Sequence, residues 1–288
     1  MRKDFLSRLL RFLVWAAAII TMSLLILLVG YILINGIPHL KASLFDLNYT
    51  SDNVSMLPSI INTVLMTIIS LLIAAPIGIC SAIYLVEYAK RGNKLVEVVR
   101  ITAETLSGIP SIVYGLFGAI FFVTVLGWGL SLLSGAFTMA IMILPLIMRT
   151  TEEALKSVPD SYREGSFGLG AGRLRTIFRV VLPSAVPGIL SGVILAIGRV
   201  VGETAALMFT AGTVAKLPKS ILSSTRTLSV HMYTLANEGL HVDEAYATAV
   251  VLLVIVILIN GLSSLVAKRL EKENKESPWE QKAIEWKR

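Results

Sequence analysis

Four stretches of this chain are long enough to cross a lipid bilayer without meeting an Asp, Glu, Lys or Arg: Phe12–Leu40, Met56–Val86, Thr105–Met148 and Ala245–Ala267. A hydrocarbon core about 30 Å thick needs roughly 20 apolar residues as helix. The 44 residues from Thr105 to Met148 suffice for two spans, and Gly127-Trp128-Gly129 is the natural break between them. A further span near 184–210 tolerates Arg199 and Glu203 inside it. Six spans are therefore predicted, near 12–34, 59–85, 108–126, 132–149, 184–210 and 245–267. Composition agrees: 55% of residues are hydrophobic, 16% are charged and the mean hydropathy is +0.76, which puts the chain in the all-α integral membrane class.

Basic residues give an orientation. Arg2, Lys3, Arg8 and Arg11 precede the first span, and Lys90, Arg91, Lys94 and Arg100 lie between the second and third. Arg149, Lys156, Arg163, Arg173, Arg175 and Arg179 lie between the fourth and fifth, and seven more follow the sixth. The opposite side holds Lys41, Lys216, Lys219 and Arg226. Both termini are thus expected in the cytoplasm. The first apolar run is too long for a signal peptide and lacks a clear cleavage site, so it is read as a retained helix. The chain divides into a first helix with an external loop (1–55), a membrane core (56–267) with a cytoplasmic loop at 150–183, and a charged tail (268–288).

The same reading excludes several functions. The formal charge of +7 is the flanking bias just described, with no basic patch interleaved with exposed aromatics, so no nucleic-acid partner is expected. Cys80 is the one cysteine, and His39, His231 and His241 lack ligand spacing, so neither an internal disulfide nor a metal site is expected. Gly168, Gly170 and Gly172 suggest a phosphate cradle, but no Lys-Ser/Thr follows. Without a Walker A pattern the chain should not hydrolyse ATP, and no catalytic residues or cofactors are assigned to it.

The loop before the fifth span carries the most specific pattern: Glu164-Gly165-Ser166, then Gly170, then Val180, Leu182 and Pro183. Tyr162 to Leu169 can form a short helix whose small residues let a partner surface approach closely. Gly170 and Gly172 allow a sharp turn after it, and Pro183 would open the fifth span. A solvated basic loop is the plain alternative. The spacing resembles the EAA motif of ABC importer permeases, with Gly165 and Ser166 in place of alanines and Val180 in place of isoleucine. That resemblance implies a type I importer permease. It also implies that Glu164, Gly165, Ser166, Gly170, Leu182 and Pro183 engage a two-copy ABC ATPase, which binds the ATP and Mg²⁺.

Arg199 and Glu203 are four residues apart, so on a continuous helix they share a face and can pair. Gly192, Ala196 and Ala206 fall on that face. An arginine at mid-helix costs roughly 2.5–3.5 kcal/mol on insertion scales, so it normally meets a partner or a watery path. One reading is a structural salt bridge between packed helices. The other is an anion contact in a translocation path, for which the guanidinium fork suits a tetrahedral oxyanion. Asn62 and Thr63 at the outer end of the second span are further candidates for the path. Pro110, in Ser107-Gly108-Ile109-Pro110-Ser111, is read as a kink rather than a gate.

Three segments share a second resemblance: Ala196-Ile-Gly-Arg199-Val-Val-Gly-Glu203-Thr204-Ala205-Ala206, Leu106 to Gly118, and Leu144 to Glu153. They are similar to the phosphate-specific transport permeases, and closer to the A-type than to the C-type subunits. The resemblance implies a phosphate importer with Arg199, Glu203 and Thr204 on the substrate path. Its partners would be a homologous C-type permease subunit, the ATPases, an extracytoplasmic phosphate-binding protein and the surrounding lipid. Sulfate or molybdate as cargo, or a scaffold that signals phosphate status, are the alternatives.

Overall fold

The computed structural model describes residues 2–90 and 92–275. The tail beyond 275 and Arg91 lie outside the described residues. Every regular element described is helical. α1 (Arg2–Gly36) leads by short turns to α2 (Leu57–Ile83), which a π turn prolongs over Tyr84–Tyr88. α3 (Lys94–Ser107) is followed by α4 (Ser111–Gly118), prolonged as a π helix over Ala119–Val125. α5 (Leu132–Ser157) is followed by the short α6 (Asp160–Gly168). α7 (Arg173–Thr176) runs through a π turn, Ile177–Val181, into α8 (Leu182–Gly202). α9 (Ala205–Thr210), α10 (Leu228–Glu238) and α11 (Val242–Lys275) complete the chain.

Five rods are long and apolar enough to cross a membrane: Ser7–His39, Leu57–Tyr88, Leu132–Ser157, Arg173–Gly202 and Val242–Leu262. α3 and α4 make up to a sixth, bent by 102° at their junction. α5 stands at the centre, between α2 and α8, and α11 covers α8. Met139, Ala140, Met142, Ile143 and Ile147 of α5 are buried against Met66 and Ala74 of α2 and Ala196 and Val200 of α8. Small residues set the approach distances. A side chain at Gly188 would meet Ala154, one at Gly192 would meet Thr150, and one at Gly78 would meet Ile147. α1 stands outside this core and touches it through α11, where Gly36 lies against the carbonyl of Tyr246.

The bounds of two spans differ from expectation. The third span does not begin at 108 with a kinked Pro110: the chain turns a corner there. Pro110 has no N–H for the carbonyl of Leu106, and it drives Ile109 out of the helical region. The Tyr114 hydroxyl takes that carbonyl instead, at 2.7 Å. Ser111–Val125, 15 residues, then rises only about 22 Å, so α3 runs across the end of the bundle rather than through it.

Pro183 stands in the first turn of α8, as expected, but α8 continues from a π turn in a rod that begins earlier, at Arg173. The span also ends earlier than 210, because α8 stops at Gly202. The predicted turn at 127–129 is present, with φ of +67° and +65° at the two glycines. α10 ends at the left-handed Gly239, and Leu228, Val230, His231 and Leu235 on it are buried.

Candidate functional site

Arg199 occupies the last turn of α8 and is half-buried. The helix does not continue to Glu203, whose backbone is extended (φ −74°, ψ 129°). The Glu203 carboxylate turns forward instead, and its Oε1 accepts the Ala206 N–H at 3.0 Å at the start of α9. Its carbonyl accepts the Ser229 hydroxyl of α10 at 2.5 Å. The Thr204 carbonyl accepts the Met208 N–H at 3.0 Å, as the first bond of α9. Among the described residues, Arg199 forms no ion pair with Glu203, and it donates to no other carboxylate or carbonyl. The pairing expected from the four-residue spacing fails within the chain because the helix carrying the spacing ends.

Tyr114, the residue that closes the α3–α4 corner, lies within electrostatic reach of Arg199. The next residue, Gly115, packs on the backbone of Ala206, where an added Cβ would stand 2.9 Å from the Ala206 Cα. Two broken helices thus meet with their breaks adjacent. Irregular backbone at membrane depth is tolerated where it is enclosed by protein or lines a watery cavity, and broken helices are a recurrent way to present backbone and charge to a solute.

At the basic face, α6 and α7 form an elbow. Glu164 and Gly165 are exposed on the outer side of α6, while Ser166 turns inward and its hydroxyl meets that of the buried Thr176 at 2.9 Å. The elbow turns at Gly170, φ +79°, where the Gly170 N–H donates to the Phe167 carbonyl (2.9 Å) and the Ala171 N–H to that of Ser166 (3.1 Å). A residue with a Cβ is strained at such a φ. Leu182 is half-buried and Pro183 exposed where α8 begins, away from the α6 surface. Around Glu164, Tyr162, Phe167 and Leu169 present apolar surface, Leu169 at 92% exposure. Apolar side chains exposed together in this way mark a surface for protein or membrane contact.

Three groups escaped the sequence reading. Arg163, directly before Glu164, is largely buried and places its guanidinium on Glu87 in the π turn of α2, with Nη2 to Oε1 at 2.7 Å. Glu152 of α5, 5% exposed, accepts from Arg100 of α3 (3.1 Å) and Lys156 (2.7 Å). An acidic residue directly beyond an apolar run, on the side where basic residues gather, was the signal available at Glu87. At the opposite face, Asn62 and Thr63 are buried ties rather than path-lining groups. Asn62 Nδ2 donates to the carbonyls of Lys216 (3.0 Å) and Arg226 (3.2 Å), and Thr63 Oγ1 accepts the Leu228 N–H (2.8 Å). Beside them Arg226 donates to the Thr213 carbonyl, stacks over Tyr49 and touches buried His231.

Residues 74–275 match the model of a protein family described as binding-protein-dependent transport system inner membrane component. Over 276 residues the chain is 36% identical to the probable ABC transporter permease protein YqgI of Bacillus subtilis, covering 88% of this chain and 93% of that one. It is 31% identical over 261 residues to the phosphate transport system permease protein PstA 2 of Mycobacterium bovis (88% and 86% covered). With the phosphate transport system permease protein PstA of Pasteurella multocida it shares 42% over 183 residues (61% and 63%). Among solved structures, a bacterial alginate ABC transporter in complex with its pentasaccharide-bound periplasmic protein superposes with a TM-score of 0.65 at 16% identity, over 90% of this chain and 96% of the other. The MetNI methionine ABC transporter gives 0.59 at 19% identity, over 74% and 93%. At such identities these likenesses speak for the fold alone.

Proposed function

This chain belongs to the family of binding-protein-dependent transport system inner membrane components, and from that premise we propose that it forms half of the path of an ATP-driven importer of inorganic phosphate. Its fold is that of a type I ABC importer permease, and it is a transport subunit rather than an enzyme. The observation that carries the choice of cargo is Arg199: a half-buried, permanently charged fork beside two helix breaks, paired with no carboxylate among the described residues. Such a group binds a tetrahedral oxyanion by two parallel hydrogen bonds. Relatives named for phosphate transport support the same choice. Glu203 fixes the start of α9 beside the fork, and Thr204 adds a hydroxyl at the break.

In this reading the basic face is cytoplasmic, both termini included. The exposed side of α6, with Glu164, Gly165, Phe167 and Leu169, seats in an ABC ATPase, which binds ATP and Mg²⁺. Leu182 and Pro183 lie on the rod that the elbow moves. A homologous permease subunit supplies the other half of the path, and a soluble phosphate-binding protein delivers cargo to the opposite face. Closure of the ATPases alternates the access of the path. The test is to co-purify the chain with these partners, reconstitute the complex in liposomes and follow uptake of labelled phosphate with and without ATP, against excess sulfate or molybdate. ATP-dependent phosphate uptake that neither competitor suppresses is expected. Uptake suppressed by molybdate or sulfate as strongly as by unlabelled phosphate assigns a different cargo.

A further inference from the structure

We propose that α2 is a lever that carries the displacement of α6 to the opposite face of the membrane, with Arg163–Glu87 as its inner latch and Asn62 and Thr63 as its outer pins. The inference rests on the reading of α6 as the ATPase-contacting helix.

At the latch, a single guanidinium uses donors on all three of its nitrogens. Nε and Nη2 lie on the Glu87 carboxylate at 3.2 Å and 2.7 Å. Nη2 also donates to the Leu155 carbonyl (2.9 Å), and Nη1 donates to the Val158 carbonyl (2.8 Å) and to Asp160 (3.2 Å). Arg163 and Glu87 are only 15% and 8% exposed. One side chain of α6 therefore joins the C-terminal end of α5 to the π turn that ends α2. A bidentate, largely desolvated pair resists shear better than an apolar contact, because both partners are left unpaired in a dry site if it slips. α6 also packs on the start of the α7–α8 rod, where the hydrogen bond between the Ser166 and Thr176 hydroxyls is neutral.

At the outer pins, about 36 Å away at helical rise, α2 holds the segment before α10 by its main chain. Asn62 binds the carbonyls of Lys216 and Arg226 and Thr63 takes the Leu228 N–H, so the segment must follow α2 whatever its side chains do. The rod between is continuous from Leu57 to Tyr88 and pressed along its length on α5. A push on α6 thus reaches α2 through the Arg163–Glu87 pair and leaves at the external segment before α10.

The experiment uses the full complex with Lys216→Cys, an exposed position whose carbonyl, not its side chain, is pinned. Thiol labelling at 216 is compared between nucleotide-free and vanadate-trapped complexes, a readout that does not depend on the cargo. Cys80 is replaced by Ser so that 216 is the one thiol of this chain, and labelling is read on this subunit after its separation from the others. The labelling rate is expected to change at least about fivefold on trapping. Glu87→Gln, nearly isosteric, is expected to abolish that change while the complex assembles and still traps nucleotide, and Thr63→Val is expected to reduce it. The lever is overturned if Glu87→Gln preserves the change at 216, if it abolishes trapping itself, or if it prevents assembly, since the pair would then serve docking or folding. A wild-type complex that traps nucleotide with no change at 216 overturns the lever alone; one that traps none overturns the functional reading and the lever with it.

Discussion

The Glu203 carboxylate caps α9 through one oxygen, and a carboxamide retains that acceptor. Glu203→Gln should therefore keep the stability of the wild type, whereas Glu203→Ala should lose about 1 kcal/mol, as helix caps do on truncation. Unfolding midpoints in detergent distinguish the two. Equal losses for both variants would show that charge rather than capping matters there. His231 offers a second check. Burial, and then the neighbouring Arg226, lower its pKa from 6.5 to about 4. The unfolded chain takes up this proton below about pH 6.5 and the folded chain only near pH 4, so stability present above 6.5 is lost as pH falls through that window, by up to about 3 kcal/mol. His231→Gln should flatten the slope of unfolding midpoint against pH between 6.5 and 4; an unaltered slope would contradict the assignment. At this scale the residue types in the chain announce their chemistry but not their partners. Arg199 stands out in any reading because it interrupts an apolar run. That Glu203 turns away from it depends on where α8 ends, and Val-Val-Gly before the carboxylate does not announce an end.

At the scale of elements, small residues fix how closely α4, α5 and α9 pack. Gly118 of α4 faces Thr138 and Thr210, and a side chain there would overlap both. Gly118→Val should destabilise the bundle by about 1–3 kcal/mol, whereas Gly30→Val on α1, with nothing near it, should be close to neutral. Comparable midpoints for the two variants would mean that α4 is not seated as described. The elements themselves were legible wherever an uncharged run ended cleanly, as at α1, α2, α5 and α11. Of the misplaced boundaries, the start of the third span involves a proline and the start of the fifth a π turn. Pro110 ends a helix where Pro145, equally apolar in setting, is absorbed inside α5. At Pro110 the freed carbonyl of Leu106 is taken by the Tyr114 hydroxyl, a contact that no helical or turn pattern announces.

For the whole molecule, the parts lie along one axis: an exposed elbow at the basic face, a charged fork beside two helix breaks within, and a pinned loop at the far face. The elbow was readable from spacing alone, and Gly170 confirms the turn the spacing required. The latch at Glu87 was not readable, since 76 residues separate it from Arg163 and only the packing of α2 on α5 brings them together. The measurement that bears most directly on the whole is ATP-driven uptake of labelled phosphate by liposomes carrying the assembled complex with Arg199→Ala. Uptake at least about a hundredfold below wild type, with the complex intact and ATP hydrolysis retained, is the predicted result. Phosphate uptake at the wild-type rate would contradict it.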